Sequence, residues 1–437
     1  MPNPRSARGF TLIELVVTAA IMAVVLAGVA GVVQAQQQAY MDGQRIREAQ
    51  SSARNAILYL ERKISTAGFG MAPSLAFDFD PNHLATTANT CPSQMAVSGS
   101  CPRDSTANSD EIVLYSRNAS YWVPNDPTAD PAGHAWRVTK VNNAANTMPS
   151  SGITQITINA RTGDAFWPGQ VVQWVCQGAT YYAYATVSTR AIATFNGDLA
   201  LSLKAYDAAD PFKGQDHATD GCFNDGTARL FLIDRFRFHV RPVQVSTTAT
   251  PTSLQYDPYL VLDQGLASGA NTAATTADEQ LIAGNIEMIQ VAYLLANGTT
   301  VGVTPGTGIT LSTTDTFGTP STTNQLTRLV FPGPTPDAGE SDYSPTSWYK
   351  FAIGPPPAAQ RLTDHQANIR AVRILVVGRS SLPDTRAGET SVYPAYNMNA
   401  APAWLGGSTS MRDGLQRVPL ETTIDLPNMS VQGMTYF

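Results

Sequence analysis

Nineteen consecutive residues, Leu15 to Val33, carry one polar side chain, Thr18, and no charge. As a helix rising about 1.5 Å per residue, such a run spans roughly 28 Å, the hydrocarbon thickness of a bilayer. A chain with this segment is built to cross a membrane once. Arg5 and Arg8 precede it, and no acidic residue occurs among the first nine positions. The positive-inside rule then keeps the amino terminus in the cytoplasm and sends the remainder across the cytoplasmic membrane.

A conventional secretory signal is cleaved after its apolar stretch, at small residues. Val33-Gln34-Ala35-Gln36 offers a weak version of that site. The helical pattern, however, runs straight through it: Ile46, Ala49, Ala53, Ile57, Leu60 and Ile64 recur at three- and four-residue spacing, with Arg45, Glu48, Arg54, Glu61 and Arg62 on other faces. The spacing predicts one helix from about Phe10 to Ala67, ended by Gly68 and Gly70. Gly28 and Gly31 lie within it, where a glycine either permits bending or lets helices approach closely.

Glu14 stands at the edge of the apolar run. An unpaired carboxylate there costs on the order of 2–3 kcal/mol or more, and such residues usually serve function. An α-amino group, largely cationic at neutral pH, is a suitable partner. Cleavage after Gly9 would create one on Phe10. The sequence Arg8-Gly9-Phe10-Thr11-Leu12-Ile13-Glu14-Leu15 with its following apolar helix resembles the class III signal of type IV pilins and type II secretion pseudopilins. That resemblance implies a leader of residues 1–9, cut after Gly9 by a membrane prepilin peptidase. It further implies methylation of the new amino terminus on Phe10, and pairing of Glu14 with a neighbouring subunit's amino terminus during assembly.

Formal net charge is −6, and loss of Arg5 and Arg8 with a leader takes it to −8, so nucleic acid is not an expected partner. Only 14% of residues are charged, while Gly, Pro, Ser, Thr and Asn are abundant, which favours turns and short strands over a helical bundle. Cys91, Cys101, Cys176 and Cys222 form no C-x-x-C pair, and disulfides in an oxidising compartment are the expected state. Three pairings exist. Local proximity favours Cys91 with Cys101 and Cys176 with Cys222; free buried thiols are the alternative.

Beyond Gly70 the chain reads as β with loops. Asp110–Ser116, Ile153–Ala160, Gln170–Cys176, Thr180–Val187 and Leu199–Leu203 have strand-like composition. In Arg229–Val240, Phe236, Phe238 and Val240 alternate with Arg235, Arg237 and His239, predicting a half-buried strand with one apolar and one basic face. The expected division is a helix over 10–68, a first β-rich part over 69–245, a linker or surface loop over 246–280, and a second β-rich part over 281–437. The last part contains Leu281–Leu295, Ile369–Val377 and Glu421–Leu426, and a Gly/Thr/Pro-rich insertion over 297–357 with a candidate strand at Trp348–Ile353.

Further motifs narrow the resemblance. Tyr59-Leu60-Glu61-Arg62 with Ala67-Gly68-Phe69-Gly70, then Ile282–Tyr293, Ile369–Ile374 and Thr422–Asn428, look in that order like the signature segments of PilW-like minor pilins, although Pro427 and Met71 depart from the family pattern. The implied fold is α+β: a pilin fold, with a long amino-terminal helix on antiparallel sheet and an enlarged β-rich head. The implied role is a minor pilin of a type IV pilus. By the same resemblance it joins other minor pilins and the major pilin in a priming or tip complex at the cell surface, with a tip adhesin as a further partner. A GspJ-like minor pseudopilin of a type II secretion system is the second reading, and a pilus-anchored adhesin or glycan-binding module the third.

No enzyme chemistry is expected, and no cofactor. Asp207, Asp210, Asp216, Asp220 and Asp225 cluster around Cys222; calcium is one reading, but the spacing is not that of an EF-hand and a solvated loop is the better one. His83, His134, His217, His239 and His365 are far apart, and no nucleophile elbow or dinucleotide loop is present. Asp78 and Asp80 alone do not specify hydrolysis. Trp122, Trp136, Trp167, Trp174, Trp348 and Trp404 are dispersed, as core residues usually are.

Overall fold

Leu12–Ile64 form one continuous helix, α1, whose first half carries aliphatic residues on every side and whose second half has one small-residue face. The computed structural model describes residues 11–71, 73–77, 109–118, 136–141, 154–159, 166–176, 182–189, 192–193, 199–204, 228–249, 252–266, 279–295, 300–301, 369–383, 391–392, 405, 410–411 and 413–430. Ala49, Ala53, Ala56, Leu60 and Ile64 are buried, spaced by three and four as a helix face must be. Past Ser65 the amides of Ala67 and Phe69 fold back onto Ile64 and Thr66, and that of Gly68 donates to Tyr115 O at 3.0 Å. Gly68 (φ +76°) and Gly70 (φ +66°) take the left-handed turn, a conformation that costs a residue with Cβ about 1–2 kcal/mol. The regular helix ends at Ile64 with Ser65 as its cap, three residues before the expected end at Ala67, and the two glycines carry the following turn into the sheet.

In chain order the strands are β1 (Ile112–Arg117), β2 (Trp136–Val141), β3 (Gln155–Ile158), β4 (Val171–Cys176), β5 (Tyr182–Thr186), β6 (Ile192–Ala193), β7 (Leu199–Ser202), β8 (Ala228–Gln244), β9 (Tyr256–Asp263), β10 (Gln280–Gly284), β11 (Ile286–Leu295), β12 (Thr300–Val301), β13 (Ile369–Arg379), β14 (Ser391–Val392), β15 (Ser410–Met411) and β16 (Arg417–Asp425), followed by the one-turn helix α2 (Pro427–Ser430). All recorded pairings are antiparallel. One sheet is built around β8, and a second has the order β12-β11-β13-β16. Asn285, at φ 59°, turns the chain from β10 in the first sheet into β11 in the second. Asparagine tolerates this region better than most residues with a Cβ.

The 17-residue strand β8 belongs to two cores. Its early residues Ala228, Leu230 and Leu232 pack with Trp136, Ile158, Phe166 and Trp174. Its later residues Phe236, Phe238 and Val240 pack with Leu60 and Ile64 of α1, Ile289, Val376 and Ile424. β4 pairs with β8 over 228–233, and β9 takes over from 237. Where β4 and β9 approach each other, a Cβ on Gly169 (φ +89°) would collide with the Gly265 carbonyl oxygen.

Several expectations are corrected. The stretch 246–280 is not only a linker: it contains β9, paired on one side with β8 and on the other with β10. The core beneath the helix draws on residues from Ala53 to Met429, so the two β-rich parts of the head share it. On α1 the buried face also includes Ala56, Ile57 is only partly buried against the same core, and Ile46 is 38% exposed. The basic face of β8 is not solvated: Arg237 is 4% exposed and His239 fully buried. The insertion 297–357, apart from β12, and the strand read at Trp348–Ile353 lie outside the described residues.

Buried charge on β8 is compensated from distant segments. Glu111 accepts from Arg237 Nε at 3.1 Å and from its Nη2 at 2.9 Å, and Asp263 Oδ2 lies 3.4 Å from Nη1. Burial alone would favour the neutral guanidine, but Glu111 and then Asp263 outweigh it and hold the Arg237 pKa above its ordinary value. Glu279 pairs with Arg241 and lies 3.7 Å from His239 Nε2. A second network joins Glu287 to Arg417 at 2.7 Å and to Arg379 at 3.4 Å, with Asp413 beside Arg417. Arg379 also donates to Ser253 O and Tyr256 O, tying the end of β13 to the start of β9.

Candidate functional site: the projecting helix

From Thr11 to Met41 every residue of the helical segment is exposed, and Glu14 is its one charged side chain. Thirty residues at about 1.5 Å each make a rod of roughly 45 Å beyond the head. Leu12 is 84% exposed, and Ile13, Leu15, Val24 and Leu26 each exceed 60%. Aliphatic surface of this extent is stable only in lipid or against other apolar helices.

The polar groups at the rod's tip bond to one another within the first two turns. Thr11 is the N-cap: its hydroxyl accepts from the Glu14 amide at 3.3 Å, while the Glu14 carboxylate accepts from the Thr11 amide and hydroxyl, both at 3.0 Å. This reciprocal capping box satisfies two of the donors that a helix start leaves open, and the acid lies at the positive end of the helix dipole. Thr18 donates its hydroxyl to the Glu14 carbonyl oxygen at 2.6 Å, hiding the only polar side chain of the apolar run. Glu14 is thus held within its own chain. Its partner Thr11 was missed in the sequence, although Thr11-Leu12-Ile13-Glu14 carries the S/T-x-x-E signature of that cap.

At the other end of the rod, Asp42 and Arg45 form a 3.0 Å ion pair one turn before the first buried residue, Ala49. Glu48 Oε2 accepts from the Ser381 amide at 3.3 Å, marking the place where the helix leaves the head. The helix is continuous through Gly28 and Gly31, and a Cβ at either would meet nothing within 4 Å.

Gly9 and Phe10 lie outside the described residues, as do Cys91, Cys101 and Cys222. Cys176 ends β4 opposite Ala228. The aspartates 207, 210, 216, 220 and 225 are also outside, and among the described residues no group of three potential metal ligands comes together. Trp136 and Trp174 are core residues.

Residues 4–30 match the family model of the prokaryotic N-terminal methylation motif. No curated protein and no solved structure matches the chain.

Proposed function

We propose, from the premise that this amino terminus is that of the type IV pilin and pseudopilin superfamily, that the chain is a minor pilin acting in a priming or tip complex of a type IV pilus. The observation that carries the reading is the division of one helix into a bare apolar half and a half packed under a large head. The bare half anchors the protein in the cytoplasmic membrane before assembly and packs on other helices after it.

Prepilin peptidase removes residues 1–9, freeing the Phe10 amine for methylation. In the anchored precursor one oxygen of the Glu14 carboxylate accepts from Thr11, which lowers the cost of holding it at the lipid boundary. On assembly it exchanges this partner for the amino terminus of a neighbouring subunit. A head spanning residues 69–437 is difficult to repeat at each step of a thin filament, whereas at a tip it meets few neighbours. Other minor pilins and the major pilin are the partners this role requires.

Deletion of the gene should abolish or sharply reduce piliation, and complementation with Glu14→Ala should fail to restore it. Normal filaments and motility in the deletion strain would exclude a priming role. Normal filaments with loss of protein export would instead favour the pseudopilin reading. Immunogold labelling along the whole shaft would contradict placement at the tip.

A further inference from the structure

Among the described residues, carboxylates neutralise the basic face of β8 at one end only. Glu111, Asp263 and Glu279 answer Arg237 and Arg241. At the strand's start, on the same face, Arg229 lies directly opposite Arg137 of β2. The Arg137 amide donates to Asn159 Oδ1 at 2.8 Å, and its carbonyl accepts from the Asn159 amide at 3.1 Å. The backbone of Arg137 is therefore turned towards β3, and Arg137–Arg229 is a non-hydrogen-bonded pair, the kind in which facing side chains stand closest.

On its other side Arg229 faces Val175, which offers no acceptor side chain. One position further along this face, Arg117 stacks 3.8 Å over the Phe231 ring and donates to Gln173 Oε1 at 3.0 Å, adding positive charge to the neighbourhood. Among the described residues neither Arg137 nor Arg229 is paired with a carboxylate, and Arg229 Nη1 is shielded from solvent without a hydrogen-bond acceptor. Like charges set opposite each other, with a buried donor left open, are unfavourable by themselves. An acceptor carrying negative charge would remove both costs together.

We infer that Arg137 and Arg229 form a binding site for a dianionic phosphate group. Two guanidinium groups without a carboxylate partner among the described residues match the charge of about −1.5 to −2 that a phosphate monoester carries at neutral pH. Their planar forks suit its oxygens, and a monocarboxylate would cancel only half of the charge. This site is separate from the membrane helix and does not depend on the assembly role.

The test uses the full mature chain in detergent at pH 7.5, titrated with inorganic phosphate at constant ionic strength set by sodium chloride. Thermal unfolding should shift upward and saturate, and calorimetry at 25 °C should show one site. Arg137→Gln and Arg229→Gln should each weaken the phosphate midpoint at least tenfold. Without phosphate, both variants should melt at or above the parent temperature, because a repulsion has been removed. Acetate at matched ionic strength should give no saturable shift. Equal midpoints for inorganic phosphate and glucose 6-phosphate assign recognition to the phosphate alone, and a tighter ester assigns it to a phosphorylated sugar; either result upholds the site. A shift that does not saturate, one unchanged in Arg229→Gln, an acetate response equal to that of phosphate, or variants less stable than the parent in phosphate-free buffer would each overturn it.

Discussion

Gly378 of β13 lies against Ala49 of α1 so closely that a Cβ on the glycine would collide with the Ala49 carbonyl oxygen and come within 3.0 Å of Ala53 Cβ. The obstructing atom is backbone and cannot rotate away. Gly378→Ala should push the helix off the second sheet and destabilise the head by about 1–3 kcal/mol, the usual cost of overpacking. Chemical denaturation of the mature chain in detergent, followed by near-UV circular dichroism, measures it; an unchanged midpoint would mean the helix rests elsewhere.

Glu111 and Arg237 form a buried ion pair in the first sheet, with side chains 0% and 4% exposed. Glu111→Ala leaves the guanidinium buried beside one remaining acid and should cost about 3–5 kcal/mol. The double replacement Glu111→Leu with Arg237→Met should be less damaging than either single change, because it removes both desolvated charges. A double variant as unstable as the sum of the singles would show that the pair is not coupled.

Acid should weaken the head through particular carboxylates. Burial opposes ionisation of Asp263 and Asp413, yet Arg237 for the first and Arg417 for the second hold each pKa below the ordinary aspartate value of 3.8. A group with a depressed folded pKa stabilises the native state above its unfolded pKa, and that contribution is lost as pH falls through the folded value. Asp234 acts in the opposite sense, since burial raises its pKa. The urea midpoint should therefore decline below about pH 3.8, and more gently in Asp263→Asn. A flat profile down to pH 2 would contradict this account.

Thr11→Val removes the hydroxyl that caps α1 while keeping the shape of the side chain. Loss of an N-cap costs about 1 kcal/mol, so the Glu14 amide should exchange with deuterium about fivefold faster in the variant. Intact-mass analysis of the same variant should still report cleavage after Gly9. Exchange at the parental rate would show that the hydroxyl does not hold the turn.

Much of this architecture was legible from residue spacing. The helix, to within three residues of its end, and the strands around Arg229–Val240, Leu281–Leu295 and Ile369–Val377 follow from local periodicity, which needs no partner to be read. β9 escaped because its eight residues sit between Thr-, Ala- and Ser-rich stretches that read as loop, and its strand character comes from ladders to β8 and β10. The fate of Arg237 was hidden for a related reason. Alternation places it on a face, but the acids that allow that face to be buried come from Glu111 and Asp263, far away in sequence. Glu14 stood out as a charge beside an apolar run, whereas its cap by Thr11 required reading the helix start as a hydrogen-bonding unit.

Strand β8 threads both cores, and that has a mechanical consequence. If the core around Trp136 and Trp174 is held while α1 is pulled, tension travels along the strand, and its ladders with β1, β4 and β9 are loaded in shear, many hydrogen bonds at once. Such a spine resists extension through its own backbone and its ladders together, and when those ladders yield, both cores should give way in one event.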